Sequence, residues 1–288
     1  MGKVSAITET IRLPIGIPVR PDLFDHRFEG RPVYPAVEAM ETMAGAVRTH
    51  WPGALVDHMA DARFERFLPV SEIGDEIPVL CDLRRKQSGD IAAEMLSKIR
   101  LRSGITRYKV HASALFLQDT TPAPAEAVMA PEPLNQAAGF QVSANRLYRE
   151  LVPFGPGFQT LVETVDLFQN EVLAAACCPP QRLEPGRLLG SSFLLDGAFH
   201  AACAWGQRFA GIVAFPVGIA RRRVLSPTRR GERYFIRAVP ARTDSEALVF
   251  TIEIRGEDGR LRERAEGVHM RDVSAGRLQP PEWIRKKI

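Results

Sequence analysis

The sequence predicts an α+β protein built as two similar halves. Each half carries one long helix-like run rich in apolar residues. Each also carries several short segments that alternate apolar and polar residues. A Pro/Ala-rich stretch without periodicity divides the two. An apolar helix lying on an antiparallel sheet buries the surfaces of both, which is an α+β layer arrangement. Pattern alone does not choose which α+β fold this is.

In the first half, "VSAITETIRLPIGI" (Val4–Ile17) has the β-branched runs of a strand or hairpin. "PAVEAMETMAGAVRTHW" (Pro35–Trp51) predicts a helix, with Val37, Met40, Ala44 and Val47 at helical spacing. Pro35 suits the first helical position, and Pro52–Gly53 stops the run. Strands are expected over Ala62–Val70, Glu76–Gln87, Ile91–Leu101 and Thr106–Leu117. Residues 1–118 therefore form the first half, 119–141 the linker and 142–288 the second half. The second half opens with a short helix and a turn at Gly155–Gly157, followed by strands. Ser191–Phe209 predicts its main helix, with Leu194, Leu195, Ala198, Ala201, Ala202 and Trp205 as a broad apolar face. Ser191 and Ser192 stand where caps belong. The remainder is strand material, with a hairpin signal at "EDGR" (Glu257–Arg260).

Composition excludes several classes. A chain of 288 residues buries roughly 75% of its unfolded surface, so it needs no disulfide or metal staple. The four cysteines, Cys81, Cys177, Cys178 and Cys203, show no C-x-x-C spacing, and reduced cytosolic thiols are expected. No run approaches the ~18 apolar residues of a membrane span, and the first residues lack the apolar core of a secretion signal. The net charge of +4 is uneven. Residues 221–288 hold 17 Lys/Arg against 10 Asp/Glu, and "ARRRVLSPTRRGER" (Ala220–Arg233) is the densest part. That stretch fits a solvated basic turn or a docking patch for an acidic partner. Interleaved aromatics are nearly absent from it, which disfavours single-stranded nucleic acid.

The six histidines form no H-E-x-x-H, and neither a G-x-G-x-x-G nor a Walker loop is present. "GSSF" is not a G-x-S-x-G elbow. Two constellations remain. In "HRFEGRPVYP", His26, Gly30 and Pro35 follow H-x₃-G-x₄-P, with Gly and Pro fixing a tight path before a helix. Alone, the segment also fits an ordinary surface histidine. In "LLDGAFH", Asp196 and His200 lie four apart, on one helix face among apolar neighbours. A carboxylate there needs a partner or a proton. A structural Asp–His pair and an acid with a burial-raised pKa both fit.

These motifs resemble those of the dehydratase domains of polyketide synthases. His26-x₃-Gly30-x₄-Pro35 is similar to their H-x₃-G-x₄-P, and "LYRELVPFGPGFQTL" to their Tyr/Gly/Pro signature. "LLDGAFHAA" is similar to their D-x₃-Q/H, and "FPVGIARRRV" to a strand leading to a basic or aromatic turn. All four occur in family order across nearly the whole chain. "GRPVYP…EAMETMAGA" also resembles the single-hotdog dehydratases of fatty-acid synthesis.

The resemblance implies a double hotdog, two halves each with a sheet wrapped round a central helix. It implies a catalytic pair, His26 and Asp196, meeting in a cleft between the halves. Beside them, Gly30, Pro35, Phe154, Gly155, Pro156, Ser191 and His200 are expected to contact substrate. Three departures stand out. Phe154 replaces the tyrosine of the second signature, leaving Tyr148 or Tyr34 to supply a hydroxyl. Ser192-Phe193 stands where a His-Pro dipeptide is usual, and Ala36 replaces a glycine. Glu41 is a second candidate carboxylate, expected at the surface or paired with Arg48.

The implied reaction is loss of water from a 3-hydroxyacyl thioester to give a 2,3-enoyl thioester. A histidine with a pKa near ~6.5 suits removal of the C2 proton. An aspartic acid held protonated above its usual ~3.9 suits delivery to the leaving hydroxyl. Backbone N–H groups near Ser191 and Ser192, or at Gly155, are candidates to bind the thioester oxygen. No cofactor is expected, the substrate riding on phosphopantetheine. The expected partners are an acyl-carrier protein, docked by Arg221–Arg223 and Arg229–Arg230, and the acyl thioester. Nucleic acid and membrane are not expected, and a homodimer stays open. The expected location is cytoplasmic. An isomerase or product-template-like cyclase on the same scaffold, a non-catalytic acyl binder and a thioesterase are the alternatives.

Overall fold

The computed structural model describes residues 6–70, 76–100, 103–119, 139–177, 187–229, 231–243 and 247–285. The chain divides into two compact units, Met1–Pro122 and Ala123–Ile288. Most of the expected linker lies outside the described residues. Its last two residues, Phe140 and Gln141, already belong to a strand.

The first unit holds β1 (Ile7–Pro18), β2 (Arg27–Phe28), β3 (Arg31–Pro32), α1 (Ala36–His50), β4 (His58–Phe64), β5 (Glu76–Lys86), β6 (Ile91–Arg100) and β7 (Thr106–Phe116). Its main sheet runs β1-β5-β6-β7-β4, antiparallel throughout. Helix α1 lies on β5, β6 and β7. The four residues that predicted its inner face, Val37, Met40, Ala44 and Val47, are all buried. Pro35 is the N-cap rather than the first helical residue, and its carbonyl accepts from the Ala39 N–H at 3.0 Å. The strand expected over Ala62–Val70 begins four residues earlier and ends at Phe64. Asp61 has φ of 49°, and the pairing with β7 slips between Ala60 and Arg63. Such a bulge breaks the alternation on which a strand is recognised.

The second unit holds β8 (Phe140–Ser143), α2 (Ala144–Glu150), β9 (Leu161–Leu167), β10 (Val172–Cys177), α3 (Ser192–Phe209), β11 (Phe215–Val224), β12 (Arg233–Thr243), β13 (Ala247–Gly256) and β14 (Leu261–Arg271). Its sheet order is β11-β14-β13-β12-β10-β9-β8, again antiparallel. The "EDGR" turn joins β13 to β14, with Gly259 at φ of 72°. Helix α3 contacts β9 to β13. It is buried on every side from Ser192 to Gln207, not on one face alone. A helix apolar around its whole circumference is a core helix. Its small residues let the sheet approach closely. A Cβ at Gly206 would fall 2.6 Å from Leu248 Cδ1. Both units are hotdogs in this sense, and the fold is a double hotdog.

The segment after β14 packs back onto the second unit. Ile284 is fully buried, and its carbonyl accepts from Arg208 Nη1 at 3.0 Å. Arg146 lies 3.5 Å over the Trp283 ring, and Arg208 lies 3.8 Å over Phe140. Cys81 and Cys203 are buried thiols, which burial pushes up to about 12 and about 11, so both stay protonated at neutral pH. Cys178 lies outside the described residues.

Candidate active site

In the first unit, β2 and β3 form a two-residue hairpin. Arg27 pairs with Pro32 and Phe28 with Arg31, leaving Glu29 and Gly30 as the turn. Their φ values are 47° and 77°. Two consecutive positive φ angles match the twist of the flanking strands, the type I′ geometry that favours glycine at the second position. A Cβ at Gly30 would meet nothing within 4 Å, so the backbone angle rather than space requires the glycine. The turn sets the register that puts His26 opposite Val33. The Val33 N–H donates to the His26 carbonyl at 2.9 Å, and His26 Nδ1 lies 2.9 Å from the Val33 carbonyl. A carbonyl oxygen has no proton to give, so Nδ1–H is the donor. The neutral ring therefore carries its lone pair on Nε2, the arrangement a general base needs. His26 is half-buried.

Two further groups stand near the start of α1. The Tyr34 hydroxyl donates to Thr42 Oγ1 at 3.0 Å, and Thr42 donates to the Glu38 carbonyl. Of the α1 carboxylates, Glu38 is the buried one, with Arg20 Nη2 3.5 Å away, whereas Glu41 is half-buried. The resemblance to single-hotdog dehydratases singled out Glu41 and passed over Glu38. The signal available was an acid in the first turn of a helix, where the positive end of the dipole stabilises it.

In the second unit, Asp196 and His200 share one face of α3 and are 4% and 3% exposed. His200 Nε2 lies 3.0 Å from Asp196 Oδ2, close but off the line of a well-directed hydrogen bond. On its other side His200 Nδ1 lies 3.3 Å from the Tyr148 hydroxyl. The Phe154 ring tilts against the His200 ring at 4.9 Å between centroids. Phe154 thus fills the tyrosine's place with an apolar contact to the histidine, and Tyr148 supplies a hydroxyl from α2.

The loop before α3 overturns two expectations. Ser191 is the N-cap residue but its side chain caps nothing. Among the described residues its Oγ is buried without a hydrogen-bond partner, and its N–H already donates to Thr228 Oγ1 at 2.8 Å. That N–H is therefore not the open donor expected for a thioester oxygen. Gly190 makes the approach feasible, because a Cβ there would sit 2.7 Å from the Thr228 nitrogen. Ser192 Oγ accepts from Arg187 Nη2 at 2.7 Å. Gly155 caps a 3₁₀ turn, Pro156–Phe158, and Gln159 Nε2 ties that loop by donating to the Phe154 carbonyl at 2.8 Å.

Gly197, between the acid and the next apolar turn, has its own steric role. A Cβ there would fall 2.4 Å from Thr160 Oγ1, and Thr160 is fully buried. Gly197→Ala is expected to destabilise the protein by about 1–3 kcal/mol, the usual cost of overpacking a core. An unchanged denaturation midpoint would show that the Thr160 segment gives way freely.

Residues 123–280, just over half of the chain, match the family described as "Polyketide synthase dehydratase N-terminal domain". The chain belongs to the polyketide synthase dehydratase family. Among solved structures, it is similar to the dehydratase domain of a mycocerosic acid synthase-like polyketide synthase. The TM-score is 0.76 at 20% identity, over 92% of this chain and 94% of that one. The dehydratase domain from the CurF module of curacin polyketide synthase gives 0.73 at 17% identity, over 93% and 96%. A trans-AT polyketide synthase dehydratase domain from Brevibacillus brevis gives 0.71 at 17% identity, over 93% and 95%. At these identities the solved structures speak for the shared double-hotdog fold. No curated protein matches the chain. Among the described residues, no helix of this dehydratase-family chain is long and apolar enough to cross a membrane.

Proposed function

We propose that the chain dehydrates a carrier-bound 3-hydroxyacyl thioester to the 2,3-enoyl thioester, with His26 as base and Asp196 as acid. Family membership supports the reaction class. The observation that carries the residue assignment is the contrast between the two groups. His26 keeps a lone pair on Nε2 because Nδ1–H is committed to the Val33 carbonyl. Asp196 is a carboxyl buried in a core helix, and burial favours its protonated form. In the step, the C2–H bond breaks and its proton goes to Nε2. The electron pair forms the C2–C3 double bond as the C3–O bond breaks. Asp196 protonates the departing oxygen, which leaves as water. The proton on His26 returns to Asp196 through solvent or the product water before the next turnover.

The carrier is expected to meet a narrower cationic surface than the run of arginines suggested. Arg222 points inward on β11, 1% exposed, with Nε 2.7 Å from buried Glu263, and it is not a docking residue. Arg221 and Arg229 are exposed, and Arg230 lies outside the described residues. The deciding experiment is incubation with a 3-hydroxyacyl thioester on holo acyl-carrier protein and on pantetheine, read by mass spectrometry. Loss of one water from both, faster on the carrier, supports the reading. A product of unchanged mass would indicate isomerisation instead, and release of free acid would indicate a thioesterase.

A further inference from the structure

Tyr148 has its polar valences accounted for in an unusual way. Its phenol oxygen accepts from the Thr160 N–H and the Leu161 N–H, both at 2.9 Å. Two amide donors occupy the oxygen's acceptor capacity, which leaves the O–H as its remaining group. The neighbour placed to receive that proton is His200 Nδ1, 3.3 Å away, with the two rings perpendicular. Thr160 Oγ1 directs its own proton to the Phe193 carbonyl at 3.3 Å. Burial pushes the Tyr148 phenol well above its ordinary value, so the donor proton stays in place at any working pH. A ring nitrogen that accepts from a phenol is the unprotonated one, and in a neutral imidazole the proton then sits on the other nitrogen. That other nitrogen, Nε2, is the one 3.0 Å from Asp196 Oδ2.

We infer that Tyr148 is a positioning residue that holds His200 in its Nε2–H tautomer, and that this keeps an imidazole lone pair from competing for the proton of Asp196. The inference rests on Asp196 being the acid of the proposed dehydration. With Nε2 carrying the proton, the ring turns an N–H rather than a lone pair toward the carboxyl 3.0 Å away. In the opposite tautomer an Nε2 lone pair would face the carboxyl. It would bind or remove the proton that the leaving hydroxyl requires. Tyr148, Thr160 and Leu161 thereby set the chemistry of Asp196 from the α2–β9 side, without contact with the reacting atoms.

The test is the protonation pattern of the His200 ring in ¹⁵N-histidine-labelled protein, read from ¹⁵N–¹H correlations and assigned by the signal lost in His200→Gln. The expected pattern is a neutral ring protonated at Nε2. In Tyr148→Phe the ring is expected to shift toward the Nδ1–H form. With it, kcat is expected to fall roughly tenfold or more at nearly constant KM, within the ~10²–10⁴ that one proton transfer contributes. An Nδ1–H ring in the wild type would overturn the inference, as would a Tyr148→Phe ring that keeps the wild-type pattern. Tyr148→Phe also strips two amides of their acceptor. Should that variant not fold, the wild-type spectrum alone decides. The readout needs no turnover. An Nε2–H ring in a chain that dehydrates nothing upholds the Tyr148–His200 relation and removes only its assignment to an acid. An Nδ1–H ring in an active dehydratase removes the inference and leaves the reaction standing.

Discussion

Asp196→Asn is expected to lower kcat for the 3-hydroxyacyl thioester by roughly 10²–10⁴, about 3–5 kcal/mol of barrier. The amide has the carboxyl's shape, so the 4% exposed site on α3 keeps its packing. What it lacks is a proton to give the leaving hydroxyl. An interaction made only in the transition state lowers kcat and kcat/KM together and leaves KM almost unchanged. His26→Ala is expected to fall as far, because the C2 proton then has no base. The double variant should be little worse than either single one, since an acid and a base that act in one step are not additive. Circular dichroism and a thermal midpoint near the wild type would show that folding is intact. Undiminished dehydration in either variant would sink the assignment.

Glu263→Ala is expected to have the largest effect on stability, a loss of about 3–5 kcal/mol. Glu263 on β14 and Arg222 on β11 are 2% and 1% exposed, with Oε1 and Nε 2.7 Å apart. Their strands are paired, with Val224 opposite Glu263 and Arg222 opposite Ala265, so the two side chains meet diagonally across the ladder. Removing the carboxylate leaves a guanidinium buried without that counter-charge, and arginine does not shed its proton to escape. Replacing both, as Arg222→Met with Glu263→Leu, should recover most of the loss, because the cost lies in a buried guanidinium that has lost Glu263 rather than in the absent pair. Denaturant titration of the three variants measures this. A single-variant loss below about 1 kcal/mol would mean that water reaches Arg222.

The same pair shows where the sequence stops being legible. Three consecutive arginines suggest a surface, since arginine is rarely buried. Yet residues 221–224 lie in a strand whose side chains alternate, and the alternation turns the middle arginine inward. Its partner lies 41 residues on, a distance that no local pattern reveals. Ser191 misleads for a similar reason. It has the residue type and position of a cap, but its N–H is claimed by Thr228, 37 residues later. Asp196 and His200 were legible because their relation is local, one helical turn. The Gly30 turn was legible because only a few residue types accept its backbone angles. The helices were read to within a residue or two. The full burial of α3 was not, because spacing marks one apolar face and the sheet around the helix covers the others.

His26 is steadied by main-chain atoms of Val33. Its ring is held by the Val33 carbonyl, and its own carbonyl by the Val33 N–H. No exchange of the Val33 side chain deletes either bond. Asp196, the proposed acid, has side chains around it instead, His200 beside it and Tyr148 behind that. Mutational robustness should therefore differ between the two halves of the chain. Drift at Val33 is buffered so long as the backbone turn survives. Drift around Asp196 changes its surroundings directly, and that is where point substitutions have the means to retune the proposed dehydration.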